Sequence, residues 1–328
     1  MIQFNENSLP ASAAHINAEL QRAERHLQQL TDLSSMADLQ LSLSPYLHGK
    51  RLRPVLLLLA ASLFKPIGED CCRAAAALEA VHLASLFHDD VIDETVTRRG
   101  VGTLNSSLGN KCSILLGDYV LAQATHVLAS LHSDEIITIM TSAAKEMSLG
   151  QLLELRHKGD RQTSVSAYMD IIRGKTASLI SACCRIGAVL SGASRQQADR
   201  LSAYGLNLGL AFQITDDVLD IWGDSQALGK PIFNDIAEHK YTLPLLLARD
   251  SASPGERKEL LSLLEQPYSD GVRQELMAVL GRQEAKERAL ETARALASEA
   301  AAELDSFAAE PSAQALRDLA LWAVVRNA

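Results

Sequence analysis

Two groups of aspartates stand out by type and spacing. Asp89, Asp90 and Asp93 lie within SLFHDDVIDE, and Asp216, Asp217 and Asp220 lie within AFQITDDVLD. Each group reads DDxxD. On a helix, residues four apart share a face, so Asp89 projects with Asp93 and Asp216 with Asp220. Carboxylates gathered on an apolar helix repel one another and resist leaving water. A hard divalent cation with oxygen ligands relieves this, and Mg2+ completes its shell with water and phosphate oxygens. A solvated acidic helix end is the plainer alternative. It fits poorly, because both groups fall near helix C-termini, where the macrodipole disfavours negative charge. The spacing also occurs twice.

The basic residues follow the same logic. Gly49-Lys50-Arg51-Leu52-Arg53-Pro54 packs three cations into a short stretch at a helix start, where backbone N–H groups favour anions. Arg98 and Arg99 follow the first aspartate group. Lys175-Thr176 interrupts an apolar helix, and Lys230 and Lys240 flank the loop after the second group. Each alone reads as a surface charge. Beside two metal-type groups, they point to a phosphorylated substrate.

The elements that must position these residues read as helices throughout. Apolar periodicity is helical over Ala11–Leu33, Pro54–Phe64, Asp70–Glu94, Lys111–Leu131, Asp134–Arg156, Ser164–Cys184, Arg195–Trp222, Tyr241–Arg249, Pro254–Leu264, Gly271–Leu280, Gln283–Phe307 and Pro311–Arg326. No stretch demands a strand. The most loop-like segments, Thr95–Asn110 and Gly223–Lys240, come directly after the two acidic helices. The length of 328 residues suggests two domains at about 150 residues each. The unbroken helical pattern predicts instead one all-α domain over 1–328.

Composition removes several function classes. The formal charge is 31 − 40 = −9, which disfavours nucleic acid as a partner. Apolar residues make up 47% of the chain, enough for a large core. None of the five cysteines has zinc-ligand or CxxC spacing, so the expectation is buried, reduced thiols in a cytoplasmic protein. No signal-peptide pattern opens the chain. The strongest apolar run, Val55–Phe64, is far shorter than the roughly 20 residues of a membrane span, so no transmembrane segment is expected.

In order along the chain stand GKRLRP, LFHDDVID with RRG after it, GDY at Gly117–Tyr119, GKT at Gly174–Thr176, FQITDDVLD, GKP and KYTLP. With these motifs the chain resembles the trans-isoprenyl diphosphate synthases over about 49–244, with a looser match in the C-terminal helices, 245–328. The resemblance implies an isoprenoid-synthase-like helical bundle around a central cavity, with the two aspartate groups facing each other across it. It implies three Mg2+ on an allylic diphosphate, held by Asp89 and Asp93 with Asp90 supporting, and by Asp216, Asp217 and Asp220. Lys50, Arg53, His82 and Arg99 would hold isopentenyl diphosphate. Arg98, Lys175, Thr176, Gln213, Lys230 and Lys240 would line the allylic site. A homodimer is also implied.

The chemistry suits those residue types. Mg2+, Lys and Arg stabilise a departing diphosphate. An allyl cation needs an apolar pocket that excludes water, and Thr176 and Gln213 offer neutral oxygens near it. No protein nucleophile is required. The chain departs from the family pattern at Phe233 and His239, where glycines are usual. A class I terpene cyclase would lack the second DDxxD and the GKRLRP segment. An inactive partner subunit would not need intact aspartates, Lys50 and Lys175.

Residues four, five and eight positions before Asp89 are Ser85, Ala84 and Val81. They lie below it on the helix, with Ala84 about 7.5 Å down at 1.5 Å per residue. In short-chain members bulky aromatics commonly stand there and stop growth. The small residues here predict a product longer than C20, centred on C40. Geranylgeranyl or farnesyl diphosphate is the shorter alternative.

Overall fold

The computed structural model describes residues 10–34, 43, 46–47, 49–98, 100–223, 232–266, 269–307 and 310–325. Arg99 and Lys230, both expected at the site, lie outside them. The chain divides into two compact units, each assembled from separate stretches. One comprises Met1–Ala144, Leu179–Gly205 and Glu303–Leu319, and the other Lys145–Ser178, Leu206–Ala302 and Ala320–Ala328.

The first unit is built around Glu69–Ile92, the helix of the first aspartate group. This helix is apolar on nearly every face, with buried residues running from Cys71 to Asp90, so it is packed on all sides. It lies chiefly against Asn110–Ala129, and also against Asn17–Leu30 and Leu52–Ser62. In Leu52–Ser62 the leucines Leu56, Leu57, Leu58 and Leu59 are all fully buried. Each contributes about 1.5–3 kcal/mol by leaving water. Pro54 sits in the first turn, where its missing N–H costs nothing.

The loop after the first acidic helix holds the one departure from all-helix among the described residues. Thr97–Arg98 and Val101–Gly102 form a two-stranded antiparallel hairpin. It is too short to show alternation in sequence. Thr103 then caps the helix Leu104–Leu108.

In the second unit, Leu243–Ser251 packs on Ala285–Ala302, and Pro254–Leu264 on Asp270–Arg282. A reciprocal capping box of Ser253 and Glu256 starts Pro254–Leu264. The expected helix Ser164–Cys184 runs on to Leu190 but is interrupted. Val165–Ile172 and Ser178–Leu190 flank a π-helical turn, Arg173–Ala177. The expected Gln283–Phe307 helix begins at Ala285, after Glu284 turns left-handed at φ 49°, and gives way to a short 3₁₀ turn at Asp305–Phe307.

Four cysteines are buried as expected. Cys112 is the exception and is exposed. It lies on an outward face of Asn110–Ala129, and that helix is itself long and apolar enough to cross a membrane by length and composition, with a third of its most apolar window buried.

Candidate functional site

In the first unit the acidic helix ends at the aspartates, and Asp93 is its C-cap. Asp89 and Asp93 are half-buried, whereas Asp90 is 0% exposed. Both Asp90 oxygens are engaged. Oδ1 accepts from Arg98 Nη2 at 2.7 Å, and Oδ2 accepts from Arg98 Nε at 3.3 Å and from the Tyr46 hydroxyl. Tyr46 is set by an edge-to-face contact with Phe87, centroids 4.7 Å apart, and by the Leu104 N–H donating to its oxygen at 3.2 Å. Burial and the Asp90 carboxylate push the Tyr46 pKa above its ordinary value, keeping the phenol a donor. The Asn105 amide donates to the carbonyls of Asp90 and Thr95, both at 3.0 Å, which ties the loop to the helix end.

The three cations of GKRLRP separate. Arg51 takes left-handed backbone, φ 51°, at the helix N-cap. It pairs with Glu24 at 2.7 and 2.9 Å and with Glu79 at 3.3 Å. Lys50 is exposed. Burial pulls the Arg53 guanidinium down, Glu79 partly opposes this, and its Nε has no hydrogen-bond partner. An incompletely satisfied guanidinium of this kind suits an added anion. His82 is half-buried, and its carbonyl accepts the Ser85 hydroxyl at 2.8 Å. Val81 and Ala84 are buried and Ser85 half-buried. His88 has a packing role. Its Nε2 lies 3.2 Å from the Ile114 carbonyl, and a Cβ on Gly117 would lie 2.3 Å from that nitrogen. The glycine of GDY is therefore the space that the His88 ring uses.

In the second unit a cavity of about 150 Å³ gathers Lys175, Thr176, Gln213, Asp217 and Lys240, five of the residues expected at the site. Two close backbone approaches bring Lys175 and Glu154 to its wall. A Cβ on Gly174 would lie 2.6 Å from the Glu146 carbonyl oxygen, and one on Gly150 would lie 2.5 Å from the Lys175 nitrogen. Only glycines permit this contact, and it coincides with the π turn, a distortion frequent at functional sites. Glu154, one turn beyond Gly150, thereby meets Lys175.

Lys175 Nζ lies 2.5 Å from a Glu154 oxygen, and Lys240 Nζ lies 3.7 Å from the same oxygen. Burial works against the Glu154 carboxylate, but the two lysines outweigh it and hold its pKa below the ordinary range. Across the cavity the Thr176 hydroxyl donates to Gln213 Oε1 at 2.8 Å, and Gln213 Nε2 donates to Asp217 Oδ1 at 2.8 Å. The Tyr168 hydroxyl donates to Asp217 Oδ2 at 2.6 Å. This chain of hydrogen bonds fixes the Thr176 hydroxyl against Gln213.

Asp217 is 4% exposed. Burial pushes its pKa well up, the Asp235 and Asp216 carboxylates push it further, and the hydrogen bonds from Tyr168 and Gln213 only partly oppose this. Asp220 is also buried, at 2%. Its Oδ2 accepts the Asp235 N–H at 3.1 Å, and its carbonyl accepts the Phe233 N–H at 2.6 Å. Asp216 is half-buried.

The chain is similar to known proteins. A profile of the family described as Polyprenyl synthetase matches residues 38–280. The octaprenyl diphosphate synthase of Haemophilus influenzae is 36% identical over 279 residues, covering 85% of this chain and 85% of that protein. The nonaprenyl diphosphate synthase of Mycobacterium tuberculosis is 36% identical over 281 residues, covering 85% and 83%. A polyprenyl synthase of Caulobacter crescentus, solved with calcium and isoprenyl diphosphate, superposes with a TM-score of 0.87 at 32% identity over 97% of both chains.

The chain belongs to the polyprenyl synthetase family. It is a trans-polyprenyl diphosphate synthase, a prenyltransferase of isoprenoid biosynthesis. Divalent-metal dependence is typical of this family, and the donor set fits it. Asp216, Asp217 and Asp235 crowd together with negative charge that burial makes costly, and a hard cation relieves such crowding.

Several residues of this polyprenyl synthase are absent from the sequence expectation. Tyr46, Tyr168, Glu154 and Asp235 all touch expected site residues. Glu154 and Tyr168 occupy ordinary helical positions with no local signature. Asp235 falls in the loop after the second aspartate group, where its acidity was the only signal.

The family's two substituted glycines keep the glycine conformation. Phe233 stands at φ 65° and His239 at φ 58°, each costing about 1–3 kcal/mol for a non-glycine residue.

Proposed function

We propose that the chain condenses isopentenyl diphosphate with an allylic diphosphate and repeats the step to an all-trans product centred on C40. The observation that carries this reading is the cavity where Lys175, Lys240 and the Thr176–Gln213–Asp217 chain meet. It joins cations for a diphosphate, carboxylates for a metal and a neutral oxygen beside the apolar walls of Ile171 and Ile172.

In this reading Lys175 and Lys240 exchange Glu154 for the allylic diphosphate, aided by Arg98 and Lys230. Mg2+, three ions per site, supplies Lewis-acid stabilisation of the leaving diphosphate when bound to Asp89, Asp93, Asp216 and Asp220. Asp90 acts through position, since Arg98 and Tyr46 already take both its oxygens, whereas a bound cation would also offset the charge crowded on Asp217. As the C–O bond breaks, its electron pair goes to diphosphate. Thr176 presents lone pairs to the allyl cation without capturing it, because the Gln213 amide oxygen that accepts its hydrogen bond is too weak a base to remove the proton. The isopentenyl group, held by Lys50, Arg53, His82 and Arg99, then forms the new C–C bond, and a proton leaves to the released diphosphate.

The small side chains at Val81, Ala84 and Ser85 support a long product, as do the names of the octaprenyl and nonaprenyl relatives. We read residues 1–328 as one catalytic domain acting in the cytoplasm as a homodimer. Exposed apolar side chains support the dimer. Leu115 is 67% exposed on Asn110–Ala129, and Leu152 is 63% exposed on Asp134–His157. Equilibrium sedimentation tests it, with Leu115→Glu expected to yield monomers.

The direct test of the reaction is incorporation of labelled isopentenyl diphosphate with farnesyl diphosphate, with and without chelator. Chelator-sensitive incorporation is expected. No incorporation with any allylic primer would reject the reading. For chain length, Ala84→Phe is expected to shorten the product, and an unchanged length would remove this helix face as the determinant.

A further inference from the structure

The segment Ile232–Lys240 carries two groups of the site, Asp235 and Lys240, and packs on the core through Phe233 with Ile232 and Ile236 beside it. Beneath it lies a cavity of about 350 Å³, bounded on the segment's side by Phe233, Ile236 and His239 and on the other by Leu263, Arg273 and Leu276. Only Phe233 is driven fully home, at 1% exposure. Its ring enters the cluster of Ile221, Leu245, Leu260, Leu276 and Val279. The Arg273 guanidinium lies 5.3 Å from its centroid, within cation–π range.

The same residue bears the strain of left-handed backbone, and that turn is what aims the segment. The Phe233 N–H reaches the Asp220 carbonyl, and the Asp235 N–H then reaches the Asp220 carboxylate. The Lys240 N–H closes on the Asp235 carbonyl at 2.7 Å. A glycine would adopt this turn without strain, but it would offer nothing to hold it down.

We propose that Phe233 is a positioning residue. Its buried ring clamps Ile232–Lys240 so that Asp235 stays beside Asp220 and Lys240 beside Glu154. The metal and diphosphate half of the site is thereby assembled before substrate arrives. This rests on the reading of the cavity as a diphosphate site, and it assigns to a core side chain the preorganisation of that site.

The test compares Phe233→Gly with Phe233→Leu and with Leu260→Ala, which thins the same cluster away from the segment. Amide exchange of residues 232–240 without ligand reports the clamp and does not depend on the reaction. Phe233→Gly is expected to speed exchange there about ten-fold or more, and Leu260→Ala to leave it within about two-fold. Calorimetry with Mg2+ and inorganic diphosphate reports the site. Phe233→Gly is expected to weaken binding about ten-fold, while Phe233→Leu stays within about three-fold of the parent. In turnover, the loss is expected in KM for the allylic diphosphate and the Mg2+ half-saturation, with kcat at saturation little changed.

Equal effects of Phe233→Gly and Leu260→Ala on exchange and binding would reduce Phe233 to core filler and overturn the proposal. Unchanged exchange in Phe233→Gly would also overturn it. If Phe233→Gly does not fold, exchange in Phe233→Leu against Leu260→Ala decides in its place. Faster exchange of the segment in Phe233→Leu is then expected, and equal exchange in the two would overturn the clamp. Were the parent to elongate nothing, the reaction would fail while the exchange comparison still tested the clamp.

Discussion

The two aspartate groups have the same sequence spacing, but their buried central residues sit in different electrostatic settings. In each, the central aspartate is buried and accepts a tyrosine hydroxyl, Tyr46 for Asp90 and Tyr168 for Asp217. Asp90 has its own guanidinium in Arg98. Among the described residues, Asp217 accepts from the neutral donors Tyr168 and Gln213, and it faces the carboxylates of Asp235 and Asp216. At the centre of one DDxxD the counter-ion is built into the fold. At the centre of the other, neutral donors meet further carboxylates, a condition that a bound cation would relieve. Identical motifs thus do not imply identical roles for corresponding residues.

The largest effects should come from the half-buried aspartates that stand beside these two buried centres. Asp89→Ala and Asp216→Ala are each expected to lower kcat about a thousand-fold, with thermal midpoints close to the parent. Activity surviving either change would break the assignment of both groups to the metal.

The contrast itself is tested by charge removal at the centres. Asp90→Asn leaves Arg98 without its partner and is expected to destabilise the fold by about 3 kcal/mol or more. Asp217→Asn removes a repelled carboxylate and is expected to cost no more than about 1 kcal/mol. Denaturant melts without metal measure both, and equal losses would erase the difference between the groups.

Smaller effects sharpen it. Tyr168→Phe leaves Asp217 with Gln213 alone and is expected to weaken Mg2+-dependent diphosphate binding about ten-fold. Tyr46→Phe, with Arg98 still holding Asp90, is expected to change it less than about three-fold. Isothermal titration with inorganic diphosphate separates the two.

Much of the molecule was legible in the sequence, for identifiable reasons. Helices such as Glu69–Ile92 and Arg195–Trp222 are long and strongly apolar, so periodicity found them. The aspartates and Lys175 interrupt apolar helices and therefore stand out. The partners of these residues were not legible. Tyr46 is 44 residues from Asp90, Tyr168 is 49 from Asp217 and Glu154 is 21 from Lys175. Each looks ordinary in its local setting, and only the tertiary fold brings it to the site. The π turn at Arg173–Ala177 was hidden for a similar reason, since it accompanies a close approach at Gly150 and Gly174. Phe233 and His239 read as departures from a glycine pattern. The structure shows that the backbone kept the pattern and the side chains added to it.

The most direct test is the size of the product that the parent enzyme makes from farnesyl diphosphate and excess isopentenyl diphosphate in Mg2+. A chain-length distribution centred on C40 is expected, with little material at C20 or below. A distribution ending at C15 or C20 would contradict the long-chain assignment.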